Sequence, residues 1–219
     1  MQKINLKNWI LTLTVACSTA VSFGQSTHVE AKKLLADASA KLDSYSHLYM
    51  TFNYTFENKK VSPPIVQKES GTIAIKGDNY RLTFLGTEQI RNGNKLYTIL
   101  MEDEEVQITD YDGEEDEGLT PSSILNLYKK GYSYKLGKVY KVNGKNIQEV
   151  VLKPNASEEI KKIEISIEVD SKKLVSLKQW GTNGTTTTFV INDFEPNKPL
   201  ATNYFVFNKK NYPGFYIAD

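Results

Sequence analysis

Residues 162–170 read KIEISIEVD, a stretch in which apolar side chains alternate with charged or polar ones without interruption. In an extended chain the four apolar residues at the odd positions 163–169 fall on one side, and the polar residues between them fall on the other. This period of two predicts a β-strand with one buried face. It is the clearest such strand in the sequence, and its pattern decides the fold class.

The same alternation recurs along most of the chain. Residues 47–57, HLYMTFNYTFE, place five apolar side chains on one face. Asn-Gly pairs at 92–93, 143–144 and 183–184 separate neighbouring apolar runs, and this dipeptide favours tight hairpin turns. Further strands are predicted at 71–76, 80–84, 87–91, 95–100, 106–111, 132–136, 139–142, 147–152, 174–180, 185–194 and 204–207. We count these thirteen segments, several of them short, as about eleven strands. In successive hairpins they predict one antiparallel sheet, wide enough to curl.

Two stretches follow the helical period instead. From Thr27 to Tyr45 the apolar residues fall near i, i+3, i+4 spacing, which predicts an amphipathic helix. Residues 118–131, GLTPSSILNLYKKG, predict a second, shorter helix. Thr120 can cap its first turn, Pro121 suits the first helical position and Gly131 suits the end.

The N-terminus has the features of a secretory signal peptide. Lys3 and Lys7 precede a short apolar run, and small residues follow at 22–24. We therefore expect residues 1–24 to be removed and residues 25–219 to form a single exported domain. An alternative is that Cys17, the one cysteine of the chain, carries a lipid anchor.

The charge of the chain is balanced overall but uneven along it. The formal net charge is +1, whereas residues 102–117 carry ten acidic side chains and no basic one. Within it, residues 110–117 could bind calcium, because carboxylates alternate around Gly113. The glycine and the final glutamate do not stand where a calcium-binding loop needs them, so a solvated acidic loop is favoured. No basic-aromatic cluster accompanies the lysines, which argues against nucleic acid as a partner.

Signals for catalysis are weak. After export the chain would hold two histidines, His28 and His47, in no metal-binding spacing. No nucleophile elbow, zinc-binding helix or phosphate loop is present. We therefore expect a binding protein with no cofactor, no metal and no catalytic residues.

Six stretches in order resemble the LolA-type periplasmic lipoprotein carriers across nearly the whole exported length. They are LYMTFNYTF (48–56), GTIAIKGDNYRL (71–82), IRNGNKLYTI (90–99), TPSSILNLY (120–128), VVLKPNASEEIKKIEISIEVD (150–170) and FVFNKKNYPGFYIAD (205–219). Each is weak alone, and their order and spacing carry the resemblance.

The resemblance implies an unclosed antiparallel β-barrel whose open side is covered by a helical lid over an apolar cavity. Such carriers are monomers that accept acylated lipoproteins from an inner-membrane ABC transporter complex. They carry them through the periplasm to the outer membrane, where an anchored acceptor can receive them. Family members commonly have Arg-Pro after the strand lysine, and that arginine ties the lid to the sheet. Here Gly77 and Asp78 follow Lys76, so the latch is absent or has moved.

Strand parity and the resemblance together predict which side chains line the lipid-binding cavity. They come from the first helix, three strands and the second helix: Leu35, Leu42, Phe52, Tyr54, Ile73, Ile75, Tyr80, Leu82, Phe84, Ile124, Leu125 and Tyr128. Two alternatives stay open on the same scaffold. One is a binder of a smaller lipid or apolar ligand, and the other is an outer-membrane acceptor anchored through Cys17.

Overall fold

The computed structural model describes residues 22–110 and 131–218. Within these ranges the chain forms one α-helix, α1 (Ser22–Asp43), and twelve β-strands. The strands are β1 (Leu48–Asn58), β2 (Ile65–Lys76), β3 (Asn79–Phe84), β4 (Thr87–Asn92), β5 (Lys95–Leu100), β6 (Glu105–Asp110), β7 (Tyr132–Val142), β8 (Lys145–Pro154), β9 (Ile160–Glu168), β10 (Leu174–Gly181), β11 (Thr185–Pro196) and β12 (Tyr216–Ala218). Helix α1 begins five residues before the predicted start. The predicted helix at 118–131 lies almost wholly outside the described residues.

All twelve strands belong to one sheet. Their spatial order is β12-β6-β5-β4-β3-β2-β1-β11-β10-β9-β8-β7, and each neighbouring pair is antiparallel except β12 with β6, which is parallel. β7 and β12 lie at opposite ends, so the sheet is not closed. The predicted fold class, a mainly β unclosed antiparallel sheet with a helix against it, is confirmed.

The tight turns are close to those predicted from the Asn-Gly pairs. The β7–β8 turn uses Asn143 and Gly144, both with positive φ, as expected for this dipeptide. The β4–β5 turn is shifted by one residue, since Asn92 pairs with Lys95 and leaves Gly93 and Asn94 as the turn. Gly93 supplies the positive φ at the first turn position.

One face of the sheet packs against α1, and we call it the helix face. The odd-numbered isoleucines of β9 lie there, together with the even-numbered apolar residues of β1. A continuous core joins them to the buried stripe of α1, in which Leu35 and Ala38 are fully buried. The parity predicted for both strands is therefore confirmed.

The opposite, outer face has a second core over β4, β5 and β6. Ile90, Ile99 and Val106 are buried there beneath the C-terminal segment. Residues 207–217 supply the cover, with rings of Tyr97 and Phe207 stacked at 4.7 Å between centroids. The chain end then pairs with β6 as β12. The outer face of this half of the sheet is thus protected from water.

The predicted strand at 204–207 is wrong. Backbone turns occupy this segment, with the Tyr204 amide bonded to the Ala201 carbonyl at 3.0 Å and the Val206 amide to the Asn203 carbonyl at 3.0 Å. This segment therefore forms a turn, from which Phe207 packs against the outer-face core. Burial, and not strand pairing, explains why the segment is rich in aromatic residues. The final strand is instead the short β12.

A buried polar cluster fastens the C-terminal segment to the outer face. Glu88 on β4 is 6% exposed, and its carboxylate accepts hydrogen bonds from the Arg81 guanidinium and the Tyr212 hydroxyl. Arg81 also donates to the Tyr204 carbonyl at 3.1 Å and lies over the Tyr204 ring. The carboxylate is therefore paired and hydrogen-bonded, as a buried charge must be. Burial, followed by the bond to Glu88, raises the pKa of Tyr212 to about 12.

Replacing Tyr212 with Phe should weaken this attachment. The change removes a donor from a buried carboxylate, which costs roughly 1–3 kcal/mol of unfolding free energy. At neutral pH, urea denaturation should show this loss, whereas Tyr216→Phe, on a tyrosine of the same segment that is 68% exposed, should leave stability within about 0.5 kcal/mol of wild type.

The loss of unfolding free energy caused by Tyr212→Phe should also depend on pH. The pKa of Tyr212 rises from an unfolded value of about 10 to about 12 on folding, so the protonated phenol contributes fully below pH 10. That contribution disappears as pH rises to about 12. The stability difference between wild type and the Phe variant should therefore shrink over this window. A difference that stays constant from pH 8 to about 12 contradicts the assignment.

Candidate functional site

The candidate site is a cluster of four aromatic rings on the helix face, formed by Phe52, Tyr54, Phe84 and Phe189. Ring centroids lie 5.4 Å apart for Phe52–Phe84, 5.1 Å for Tyr54–Phe84 and 5.2 Å for Tyr54–Phe189. The rings are tilted or edge-on, which is the favoured arrangement for aromatic pairs. We call this set the aromatic quartet.

Three strands from both halves of the chain supply the quartet. β1 contributes Phe52 and Tyr54, and its register with β11 sets Tyr54 directly opposite Phe189. Phe84 ends β3, which reaches β1 across β2. The intervening strand has Gly71 opposite Phe52, and a Cβ there would lie 2.3 Å from the Phe52 ring. Glycine at this position lets the end of the Phe52 ring lie against the β2 backbone.

The quartet is apolar and only partly covered. Phe52 is buried at 6% exposure, while Tyr54, Phe84 and Phe189 are half-buried. Burial raises the pKa of the Tyr54 phenol above its ordinary value, which is already well above neutral pH, so the group is uncharged there. An uncharged, aromatic-lined surface of this kind can bind an alkyl chain or another apolar ligand.

The structure separates the nine described residues of the predicted cavity wall into groups. Leu35, Leu42 and Ile73 are buried in the continuous core beneath α1, where they stabilise the fold. Ile75 and Leu82 are partly buried beside that core. The remaining four are Phe52, Tyr54 and Phe84 of the quartet, and Tyr80, which is buried and whose hydroxyl lies 3.4 Å from Gln89 Oε1.

Phe189 belongs to the site and was missing from the predicted wall. The alternation in 185–194 already marks it as an apolar strand residue. Its neighbours are Tyr54 and Leu177, which the register of β11 with β1 and with β10 brings beside it. Leu177 is close to Phe189 in the chain, whereas Tyr54 is far from it. No local pattern predicts the pairing of Tyr54 with Phe189.

The predicted lid residues Ile124, Leu125 and Tyr128 lie outside the described residues.

The structure does describe residues 77 and 78, which stand where family members commonly have the Arg-Pro pair whose arginine ties the lid to the sheet. Gly77 and Asp78 form a two-residue turn between β2 and β3, in which Lys76 pairs with Asn79 and Gly77 has a φ of 57°. A positive φ suits glycine and disfavours the arginine that the family has there.

Both histidines hold separate elements of the fold together. The His28 ring in α1 stacks on Tyr134 of β7 at 4.3 Å between centroids, and its Nδ1 lies 3.1 Å from the Tyr134 carbonyl oxygen. His47 is hydrogen-bonded through Nε2 to the Lys198 carbonyl. Each contact joins parts of the chain more than a hundred residues apart.

The described ranges show neither a metal cluster nor a membrane-spanning helix. Residues 22–110 and 131–218 contain no group of three or more histidine, cysteine or carboxylate side chains placed to hold a metal ion. Most of the acidic stretch considered for calcium, from 111 to 117, lies outside these ranges. No helix in the described part of the chain is long and apolar enough to cross a bilayer.

Comparison with known proteins gives matches of fold only. No family model matches the sequence, and no curated protein matches it. An uncharacterized conserved protein from Thermus thermophilus aligns with a TM-score of 0.56 and 10% identity, covering 86% of this chain and 98% of that one. The MucA/MucB complex structure from Pseudomonas aeruginosa aligns with a TM-score of 0.50 and 11% identity, covering 83% of this chain and 62% of that one.

A LolA superfamily protein from Nitrosomonas europaea is also among the matches, with a TM-score of 0.40 and 8% identity over 81% of this chain and 97% of that one. At these identities the matches concern the fold and transfer no function. A protein of the superfamily that the sequence resembles is thus among the structural matches.

Proposed function

We propose that this protein is an exported carrier that binds the acyl chains of lipoproteins on its helix face and moves them from the inner to the outer membrane. The observation that carries the proposal is the aromatic quartet. Three of its four rings are half-buried, and the partly buried Leu82 lies two residues from Phe84 on the same face of β3. Exposed or half-exposed apolar surface that is contiguous, and not scattered, is typical of a binding site.

The physical task of such a carrier explains why it needs this surface. Each methylene group moved from a bilayer into water costs about 0.8 kcal/mol, so one sixteen-carbon acyl chain costs roughly 12 kcal/mol. A carrier must recover much of this by apolar contact, or the cargo stays in the membrane. The carrier must also bind its cargo less tightly than the membrane or acceptor at the destination does. Because the fold already holds the four rings together, an acyl chain can contact them with little loss of side-chain conformational entropy.

The remaining parts of the proposal follow from the sequence. The N-terminal features support export to the periplasm, and the family resemblance supports an inner-membrane ABC transporter complex as donor and an outer-membrane acceptor as recipient. We also propose that the protein acts by binding and not by catalysis. In support, the quartet brings together aromatic rings without an acid–base pair beside them among the described residues, and both histidines are used in contacts within the fold.

Introducing a charge into the quartet should abolish acyl binding. Phe84→Glu and Phe189→Glu each place a carboxylate where an alkyl chain would lie, and desolvating that charge is costly. We expect the dissociation constant for a fluorescent long-chain fatty acid to rise at least about tenfold, which corresponds to about 1.4 kcal/mol.

Strand β11 supplies a matched control. Val190 is the neighbour of Phe189, it points to the outer face, and it is exposed. Val190→Glu adds the same charge to the same strand and should leave binding unchanged. Circular dichroism shows whether all three variants fold. Folded quartet variants that bind the fatty acid as wild type does place the site elsewhere.

The cargo itself can be identified from the protein as the cell makes it. Native mass spectrometry of protein purified from the periplasm should show a bound acylated protein. A bound free lipid alone supports the smaller-ligand alternative. A mature N-terminus at Gln25 supports a carrier that is released into the periplasm, whereas a diacylglyceryl group on Cys17 supports the anchored acceptor and contradicts the proposed role.

A further inference from the structure

The β7–β8 hairpin carries an exposed apolar and basic tip at one end of the sheet. Every residue from Lys138 to Asn146 is exposed. Val139 is 66% exposed and Val142 is 41% exposed, so two β-branched apolar side chains of one short strand segment face water. β7 is also an end strand of the sheet, so one of its backbone edges has no neighbouring strand among the described residues. Helix α1 packs near the first half of β7, where His28 stacks on Tyr134, and leaves the tip uncovered.

The tip has a defined shape. A β-bulge interrupts the pairing between Leu136 and Val139, and the Gln148 side-chain amide donates to the carbonyls of Gly137 and Lys138 at 3.2 and 3.3 Å. Bulges of this kind bend a strand and re-aim the residues beyond them. Gly137 allows the close packing, because a Cβ there would lie 2.4 Å from Glu149 Oε1. The hairpin is therefore held in place at its base.

The two valines lie on opposite sides of the hairpin. Val139 is paired with Gln148 and Val142 with Lys145, and these two positions differ in strand parity. The intervening Tyr140 turns its hydroxyl back to the Ser166 hydroxyl at 2.9 Å, so its polar end is used within the sheet. Apolar surface on both sides suits a tip that enters an apolar medium, and it does not suit a single face that docks on a flat protein.

The charge of the tip itself is of one sign. Residues 138–146 contain lysines at 138, 141 and 145 and no acidic residue, whereas Glu149 of β8 lies at the base of the hairpin beside Gly137. The Lys145 ammonium pairs with the Glu168 carboxylate at 3.0 Å. Within the described ranges, Lys135, Lys138 and Lys141 have no carboxylate at ion-pair distance. Three positive charges therefore lie beside the valines without a neutralising partner in the described part of the chain.

Edge protection explains only part of this pattern. Lysines on an end strand hinder pairing with another sheet, and these three lysines would serve that purpose. The exposed valines work against it, because apolar residues on an open edge promote association. Lysines that flank exposed apolar side chains are instead typical of segments that bind the surface of an anionic bilayer.

We propose that the tip at 138–146 docks the protein on anionic phospholipid membranes, with the valines entering the interface and Lys138 and Lys141 contacting lipid headgroups. Nucleic acid fits less well, because the one ring of the tip, that of Tyr140, is tied back to Ser166 and offers no platform on which successive bases could stack. The docking role does not depend on acyl binding by the aromatic quartet, which lies on β1, β3 and β11 and not on this hairpin.

The test compares binding to phosphatidylcholine vesicles with and without phosphatidylglycerol, by co-sedimentation at low and high salt. The full-length protein is used throughout, so that any contribution of the N-terminus is shared by all variants. Each lysine near an anionic surface contributes about fivefold in affinity, so Lys138→Gln with Lys141→Gln should weaken binding to the anionic vesicles roughly 25-fold. Val139→Thr with Val142→Thr should weaken it about fivefold and retain strand propensity.

The matched control is Lys209→Gln with Lys210→Gln, an exposed lysine pair in the C-terminal segment, which should change binding less than about twofold. An equal loss in both lysine pairs indicates a general effect of net charge and overturns the proposal. Absence of binding to anionic vesicles overturns it too, as does stronger binding to single-stranded DNA than to the vesicles. Fatty-acid binding should be unchanged in all these variants, which separates this result from that for the carrier function.

Discussion

The antiparallel pairing of β1 with β11 is the constraint on which the rest of the structure depends. It runs from Leu48 opposite Pro196 to Asn58 opposite Thr185, and it joins two meanders that are otherwise far apart in sequence. Without it the six strands from β1 to β6 and the five from β7 to β11 would be separate sheets. Its register also sets Tyr54 against Phe189. One long-range pairing therefore creates both the continuous sheet and the aromatic quartet.

The second feature of the fold is that its two halves are covered differently. The half formed by β7 to β11 and β1 is covered by α1 on the helix face, and its outer face is largely polar. The half formed by β4 to β6 is covered on the outer face by the C-terminal segment, which Glu88, Arg81 and Tyr212 hold in place. Burying an ion pair in this way fixes one arrangement of the chain end, since removing any partner leaves a buried charge unsatisfied.

The two candidate binding surfaces lie in different parts of this sheet. The quartet lies on the helix face beside the core beneath α1, at the junction between the two meanders. The basic hairpin tip lies at the far end of the sheet, beyond the bulge in β7. The two proposals use these two surfaces separately: the quartet in the middle of the sheet is the proposed site for the acyl chain, and the basic apolar tip at its edge is the proposed contact with the bilayer.

The local sequence determined the elements and their faces. Strict alternation at 162–170 and 47–57 predicted two strands and the sides they bury, because the side-chain period of a strand is fixed by backbone geometry. The 3.6-residue spacing in 27–45 predicted α1, and the Asn-Gly pairs located hairpin turns to within a residue. Together with the family resemblance, these patterns also predicted three of the four rings of the quartet.

The tertiary structure decided what local patterns do not contain. It placed Leu35, Leu42 and Ile73, like Phe52, in the continuous core and set Phe189 beside the other three rings of the quartet. An apolar side chain has the same local pattern whichever other side chains it meets. The tertiary structure also replaced the predicted strand at 204–207 with turns and added the parallel pairing of β12 with β6. Such contacts are set by residues about a hundred positions away, and alternation carries no information on which distant strand a strand will meet.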